Sequence, residues 1–423
     1  MTGGKKGLAR LRLLRFPHHV HRRGDDGGGA SGRKIPSPYY MRPTKKMEDR
    51  SSSTKKVLPV VLAEIPRPQR DNLVESTPAA KISHVQHLSS YNWIDRKEPT
   101  IVVPGRPALW APPKETHTQV REDGAGGTIS YVDQNAARLP NSPVEPLFRA
   151  LFITRPEFDI SNVDLVTDRN NLRKLLSFVN PQLGGKSFRR REFSIVAEAV
   201  DGCRTVIFRR VEPASFFEPT PGSSVGGIQG YGHAFEKAYT TDRVKGSTAH
   251  HRIISYRFAG LNMVVRYETD GCVAPSNNTM GDPSEESILE IKTRKLPKRI
   301  GFQDVMPQLW MSQTHKLVRA SHVDGLFERP DVENVADHCE IWEVDHQEDL
   351  RKLAHLIKDI IAAVLRIPTG QAVIKYDDRV ADKLMVLEDD AETRLLPNDI
   401  YDVFERSVKK RQTIKKQRGD SYA

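Results

Sequence analysis

Four segments between Gly230 and Gly325 hold the residues with the most chemistry in reach: GYGHAFEKAYT, LNMVVRYETDG, ILEIKTRK and QLWMSQTHKLVRASHVDG. Glu236 stands on a short helical piece, Glu268-Thr269-Asp270 closes a strand, and Glu290-Ile291-Lys292 sits in the next strand. Carboxylates gathered on one surface repel each other unless a cation lies between them. Mg2+ takes oxygen ligands and keeps waters that phosphate oxygens can replace. Two such ions can hold both the attacking water and the leaving oxygen of a displacement, and an ammonium beside them stabilises charge on the phosphorus oxygens. The residue types and their order point to divalent-metal cleavage of a phosphodiester or pyrophosphate bond.

Alternation along the strands is what would position these groups. Side chains in a strand point to opposite faces with period two. Leu261, Met263, Val265 and Tyr267 then share a core face, and Arg266, Glu268 and Asp270 take the other. Leu289 and Ile291 oppose Glu290 and Lys292 in the same way. If the two strands are neighbours, three carboxylates and one ammonium meet on one surface. A helix is expected over 307–319 after the Glu-x-Lys strand.

The rest of the chain divides by composition. Residues 1–82, rich in Gly, Ser, Pro, Lys and Arg, read as a disordered basic tail, with a mitochondrial presequence as the less favoured reading. Residues 83–143 read as an extended arm packed on the core, with Trp93 and Trp110 as packing residues. Residues 144–370 read as the globular domain. Within it VEPLFRALF and LVTDRNNLRKLLSFV have helical spacing, Asp201-Gly202 marks a hairpin, and Leu350 to Leu365 form an amphipathic helix. Residues 371–423 read as a C-terminal extension whose basic tail, RSVKKRQTIKKQR, is either a nuclear-import cluster or a solvated end.

Composition narrows the function classes. Net charge is +11 over 423 residues, which suits a polyanionic partner. The mean hydropathy of −0.53 is low for a fully folded chain. Cys203, Cys272 and Cys339 show neither zinc spacing nor a disulfide framework, so a reducing compartment, nuclear or cytoplasmic, is expected. No apolar run approaches the ~20 residues of a membrane span, and no membrane partner is expected.

These motifs resemble the PD-(D/E)XK nuclease superfamily and, within it, the DXO-type decapping exoribonucleases. Gly232-His233-Ala234-Phe235-Glu236 takes the place of that family's Gly-aromatic-Lys-Phe-Glu motif, with His233-Ala234 as a departure. Glu268-Thr269-Asp270 is similar to its Glu-x-Asp motif, Glu290-Ile291-Lys292-Thr293 to its Glu-hydrophobic-Lys-Thr motif, and LWMSQT to its Trp-bearing helix with a glutamine. VTDRNNLRKLL supplies an arginine, Arg169, before the hairpin. The resemblance covers about 160–330. It implies an α/β fold with a mixed β-sheet core and flanking helices. It also implies a hydrolase of RNA 5′ ends, by decapping, by pyrophosphohydrolysis or as a 5′–3′ exoribonuclease, with Mg2+ or Mn2+ as cofactor. By carry-over, Glu236, Glu268, Asp270 and Glu290 would hold metal, Lys292 and Gln313 would contact the scissile phosphate or its water, and Arg169 a backbone phosphate. Lys298, Arg299, Lys316 and Arg319 flank the site and would track the RNA backbone.

Taken singly, each residue has an ordinary reading as a solvated or cross-strand-paired charge. Three alternatives stay open: a DNA-cleaving member of the superfamily, a non-catalytic RNA-binding member, and one that activates an exoribonuclease partner. A prenyl (geranylgeranyl) diphosphate synthase is disfavoured, because Asp377-Asp378, Asp382 and Asp389-Asp390 lie close together near the C-terminus, not on two facing helices.

Overall fold

The computed structural model describes residues 11–16, 60–69, 79–123, 133–183, 192–212, 230–274, 288–389 and 393–419. From the N-terminus come β1 (Arg12–Arg15), β2 (Val61–Pro66), β3 (Ile82–Ile94), β4 (Thr100–Val103), β5 (Leu109–Trp110), β6 (His117–Gln119), α1 (Gln134–Arg138) and α2 (Glu145–Thr154). Next are β7 (Leu165–Asp168), α3 (Arg169–Val179), β8 (Glu192–Ala199), β9 (Val206–Arg210), α4 (Gly232–Tyr239), β10 (Thr240–Thr241), β11 (Ser247–Phe258), β12 (Leu261–Glu268) and β13 (Gly271–Cys272). The remainder is β14 (Ile288–Lys295), α5 (Phe302–Ser312), β15 (Lys316–Val323), β16 (Leu326–Glu328), β17 (Val332–Asn334), α6 (Ala336–Asp345), α7 (Gln347–Leu365), β18 (Gln371–Asp377), β19 (Ala381–Glu388) and α8 (Asn398–Gly419).

Two mixed sheets carry the fold. The first runs β1-β4-β3-β11-β12-β7-β9-β8-β18-β19-β2, and the second runs β10-β5-β13-β14-β15-β16-β6, with β17 beside β15. β12–β7, β7–β9 and β14–β15 pair parallel, and the β8–β9 hairpin is antiparallel. Its turn contains Asp201-Gly202, where Gly202 takes φ 73°, a conformation that glycine reaches without a Cβ clash.

The alternation read from the sequence is the one that builds the core. Leu261, Met263, Val265 and Tyr267 of β12 join the buried apolar cluster beneath α3, α5, α6 and α7, while Val264 joins the cluster under α2 and α8 on the other face. Leu350, Leu353, Ile357, Ile360, Ile361 and Val364 are the buried stripe of α7. A third cluster joins Phe235 and Tyr239 of α4 to Leu289, Ile291, Val318, Ala320 and Phe327 of the second sheet, with Trp110 packed against it.

Several expectations need correction. β12 and β14 are not neighbours: the chain leaves the first sheet after Glu268 and enters the second at Gly271, so Thr269-Asp270 is a crossover between sheets. Within the expected tail, β1 and β2 are strands at the two edges of the first sheet. Within the expected arm, β3 is an interior strand between β4 and β11, with Tyr91 and Trp93 fully buried. Within the expected extension, β18 and β19 continue the same sheet beside β8. The helix expected over 307–319 begins earlier, at Phe302, and ends at Ser312, so Lys316 onward is strand. No described helix is long and apolar enough to cross a membrane, and the three cysteines are free.

Candidate active site

Strand β14 places the centre of the site. With Leu289 and Ile291 packed against α4, Glu290 and Lys292 take the opposite face. Glu290 is 2% exposed, and its Oε1 accepts hydrogen bonds from Lys292 Nζ and Gln308 Nε2. Its Oε2 lies 3.4 Å from Arg169 Nη1. Gln308, on α5, is oriented by Arg173, whose Nη1 donates to Gln308 Oε1 at 3.1 Å. Arg169 and Arg173 are one turn apart on α3 and so share a face.

A buried ion pair fixes the corner from which Arg169 projects. Arg266 on β12 donates to Asp168 through Nε (2.6 Å) and Nη2 (2.9 Å), and its Nη1 donates to the Pro143 carbonyl at 2.7 Å. Asp168 is the last residue of β7 and Arg169 the first of α3, so this fork holds the strand-to-helix junction. The Arg169 guanidinium sits 5.4 Å from the centre of the Tyr267 ring.

The other carboxylates come from the crossover and from α4. Asp270 Oδ2 accepts the Ile291 backbone N–H at 2.7 Å, which ties the crossover to β14. The start of α4 is capped from outside by Asp123, whose carboxylate accepts the N–H groups of Ala234 (2.8 Å) and His233 (3.3 Å). That cap sets the helix whose half-buried Glu236 faces His233, with Nδ1 and Oε2 3.8 Å apart.

Electrostatics joins these groups. Burial, then Glu290 and Glu236, push the Asp270 carboxyl well above its ordinary range. Glu268 touches solvent yet is crowded by protein, and that crowding, followed by the Glu236 charge, raises it to about 7. For Glu290 burial works the other way from its partners, and Lys292 and Arg169 outweigh it and keep the group below the usual carboxylate range. Burial opposes the Lys292 charge, but Glu290 and Asp270 raise it above an ordinary lysine. The neighbouring Glu236 carboxylate lifts His233 to about 8.

The donor set suits a hard divalent cation. All four groups are carboxylates, and the Glu236 charge helps hold protons on Glu268 and Asp270 by like-charge repulsion, which a cation would relieve. Among the described residues no three His, Cys, Asp or Glu side chains are gathered closely enough to hold an ion as they stand. Glu290 is instead engaged by Lys292, Gln308 and Arg169.

Two residues expected at the site are used elsewhere. Gln313 ends α5 in the left-handed conformation (φ 52°, ψ 44°), and its Nε2 donates to the Trp310 carbonyl at 2.6 Å. The glutamine that reaches Glu290 is Gln308, five residues earlier on the same helix, and the sequence reading passed over it. Arg319 donates to Glu333 through Nε (2.8 Å) and Nη2 (2.7 Å), donates to the Ile300 carbonyl, and stacks on Phe302. Lys316 registers with Leu289, which starts it on the face opposite Lys292. Lys298 and Arg299 are exposed. Arg173 was also missed, although its i,i+4 spacing from Arg169 was visible in VTDRNNLRKLL.

A family model described as "Domain of unknown function (DUF8563)" matches residues 61–289 and 275–404. No curated protein matches the chain. The fold is similar to that of Scheffersomyces stipitis Rai1 in complex with (3′-NADP)+ and calcium ion, at 12% identity and a TM-score of 0.56, over 79% of this chain and 97% of that one. It is also similar to S. pombe Rai1 in complex with 3′-FADP, at 12% identity and a TM-score of 0.53, over 74% and 97%. Candida albicans Rai1 in complex with pU5-Mn2+ aligns at 11% identity and a TM-score of 0.52, over 83% and 99%. At these identities the likeness is one of fold.

Proposed function

The chain belongs to the DUF8563 family, and we propose that it is a divergent DXO-like, divalent-metal-dependent hydrolase acting on RNA 5′ ends. The observation that carries this reading is Glu290, shared by Lys292 and Gln308, beside an Asp270 that feels both Glu290 and Glu236, with Glu236 acting in turn on Glu268. Support for the substrate comes from fold neighbours whose complexes hold a nucleotide with calcium ion and pU5 with Mn2+.

Each residue then has a task. Glu236, Glu268, Asp270 and Glu290 would hold Mg2+ or Mn2+. When bound, the ion supplies positive charge for the phosphorus oxygens and lowers the pKa of its water. The Lys292 ammonium, pinned by Glu290, meets the charge that develops on a non-bridging oxygen. Gln308, fixed by Arg173, holds Glu290 in one orientation. Arg169, part-buried over Tyr267, offers two-point contact to a neighbouring phosphate.

Release of label from the 5′ end of capped or triphosphorylated RNA should need Mn2+ or Mg2+ and should be lost in both Glu290→Ala and Asp270→Ala. Full activity in the two variants would refute the assignment, and faster cleavage of duplex DNA would move it to a DNA substrate. A second reading, a protein that binds RNA ends without cutting them, is favoured by the lack of three gathered donors among the described residues. Absence of Mn2+ binding in a calorimetric titration would select it.

A further inference from the structure

Away from the carboxylates the molecule buries an arginine whose Nε and Nη2 find no partner among the described residues. Arg252, in the middle of β11, is 2% exposed, and its Nε and Nη2 meet no acceptor. It shares a strand face with His250, whose Nε2 is likewise buried without a partner. Register places Arg252 opposite Tyr267 and His251 opposite Glu268, so Arg252 and Glu268 start on opposite faces of the sheet.

A second arginine reaches the same place. Arg243, half-buried in the turn before β11, brings Nη1 to 3.7 Å from the Cys272 thiol. Both arginines act on Cys272 and on His250, which locates the two guanidinium groups around the same pair of side chains. After burial, the Arg252 charge is the largest influence that lowers His250, and the Arg243 charge acts in the same direction. The thiol gives no counter-charge, because burial raises it above an ordinary cysteine. No carboxylate among the described residues pairs with Arg243 or Arg252. A buried charge left in this state is costly unless something pairs with it.

The surroundings are built firmly. Asn92 Nδ2 donates to the Arg106 carbonyl (3.0 Å) and to Ser247 Oγ (2.8 Å), while its Oδ1 accepts the Arg106 N–H at 2.7 Å and faces His250 Nδ1 at 3.2 Å. A Cβ on Gly105 would come within 2.5 Å of the Tyr91 backbone, so only glycine lets the β4–β5 loop press this closely on β3.

We propose that Arg243 and Arg252 form a phosphate-binding site, separate from the carboxylate cluster, that takes the tetrahedral oxyanion of inorganic phosphate or of a nucleotide chain. A guanidinium fork matches two oxygens of such a group. Arg252 is the fixed donor, and Arg243, partly open to solvent, is the side from which the anion arrives.

The test uses the full chain without metal and does not depend on hydrolysis, so it can fail while the hydrolase reading stands. Inorganic phosphate, followed by calorimetry and by the melting temperature, is expected to bind and stabilise the wild type. Arg243→Ala and Arg252→Gln should each weaken binding at least tenfold. Arg243 is partly exposed, so its variant answers the question even where Arg252→Gln fails to fold. Absence of binding to the wild type, or wild-type affinity in Arg243→Ala, overturns the proposal. A 5′-phosphorylated oligoribonucleotide that competes with phosphate in the wild type assigns the site to a nucleotide phosphate. Phosphate binding without competition assigns it to the free anion.

Discussion

Glu290 and Glu268 are both proposed metal ligands but stand on different sheets and in opposite electrostatic company. Glu290, in the second sheet, is nearly inaccessible, yet Lys292 and Arg169 keep it ionised. Glu268, at the end of the first, is open to solvent, yet it holds its proton to about 7 because it is crowded by protein and by Glu236. Exposure alone would have ranked them the other way. The difference lies in partners: one wall is already neutralised by Lys292 and Arg169, while on the other His233 and the more distant Arg169 fall short of offsetting burial and Glu236, which leaves room for the charge of a divalent ion.

The sharpest way to break this comparison is to strip the neutralised wall. Lys292→Met should lower metal-dependent RNA 5′-end hydrolysis by roughly a thousandfold, the scale expected when a preorganised charge at the reacting group is lost. It should also let Glu290 take up a proton more readily. Single-turnover rates with labelled triphosphorylated RNA measure the first effect, and a loss under tenfold would remove Lys292 from the chemistry.

The corner behind Arg169 gives the largest expected change in stability. Asp168→Ala leaves the Arg266 guanidinium buried without its carboxylate. Breaking a buried pair from one side costs about 3–5 kcal/mol. Asp168→Leu with Arg266→Met together should recover most of that loss in urea unfolding. A double variant no more stable than the single one would show that the pair holds more than its own charge.

On the unneutralised wall the readout is pH. Glu268 titrates near 7 and a metal ligand must be ionised, so Mn2+ binding should tighten as pH rises through about 7 and should release protons below it. Glu268→Gln should reduce that release, leaving the share that Asp270 contributes. Without metal the sign for stability is reversed: a carboxyl held above its unfolded value loses stability as pH climbs from the ordinary carboxylate range to about 7. His233 adds stability in full below the ordinary histidine range and loses it as pH rises through about 8.

Much of this wall was legible residue by residue. Period-two alternation placed Leu261, Met263, Val265 and Tyr267 in the core and put Glu290 and Lys292 on one face. The crossover at Thr269-Asp270 was not legible, because alternation tells which face a side chain takes and says nothing about which sheet its strand joins. The same limit hid β2 and β19. They pair with each other across more than 300 residues, as Ile65 with Leu384 shows, so neither can be recognised from its own neighbourhood.

Helix α5 shows the limit at a single residue and gives the smallest effect. The expected helix starts at Pro307, and the resemblance of LWMSQT to the family's glutamine-bearing helix assigns the role to Gln313. With the helix starting at Phe302, Pro307 lies inside it, Gln308 faces Glu290 and Gln313 is the end cap. Gln308→Ala should cost about tenfold in rate, as a support behind an acidic ligand does. Gln313→Gly should leave the rate unchanged. It relieves a left-handed backbone that disfavours a Cβ but gives up the side chain's bond to the Trp310 carbonyl. The net gain should be about 0.5 kcal/mol, a small rise in urea midpoint. A rate loss in Gln313→Gly that exceeds the loss in Gln308→Ala would return the catalytic role to the residue at the helix end.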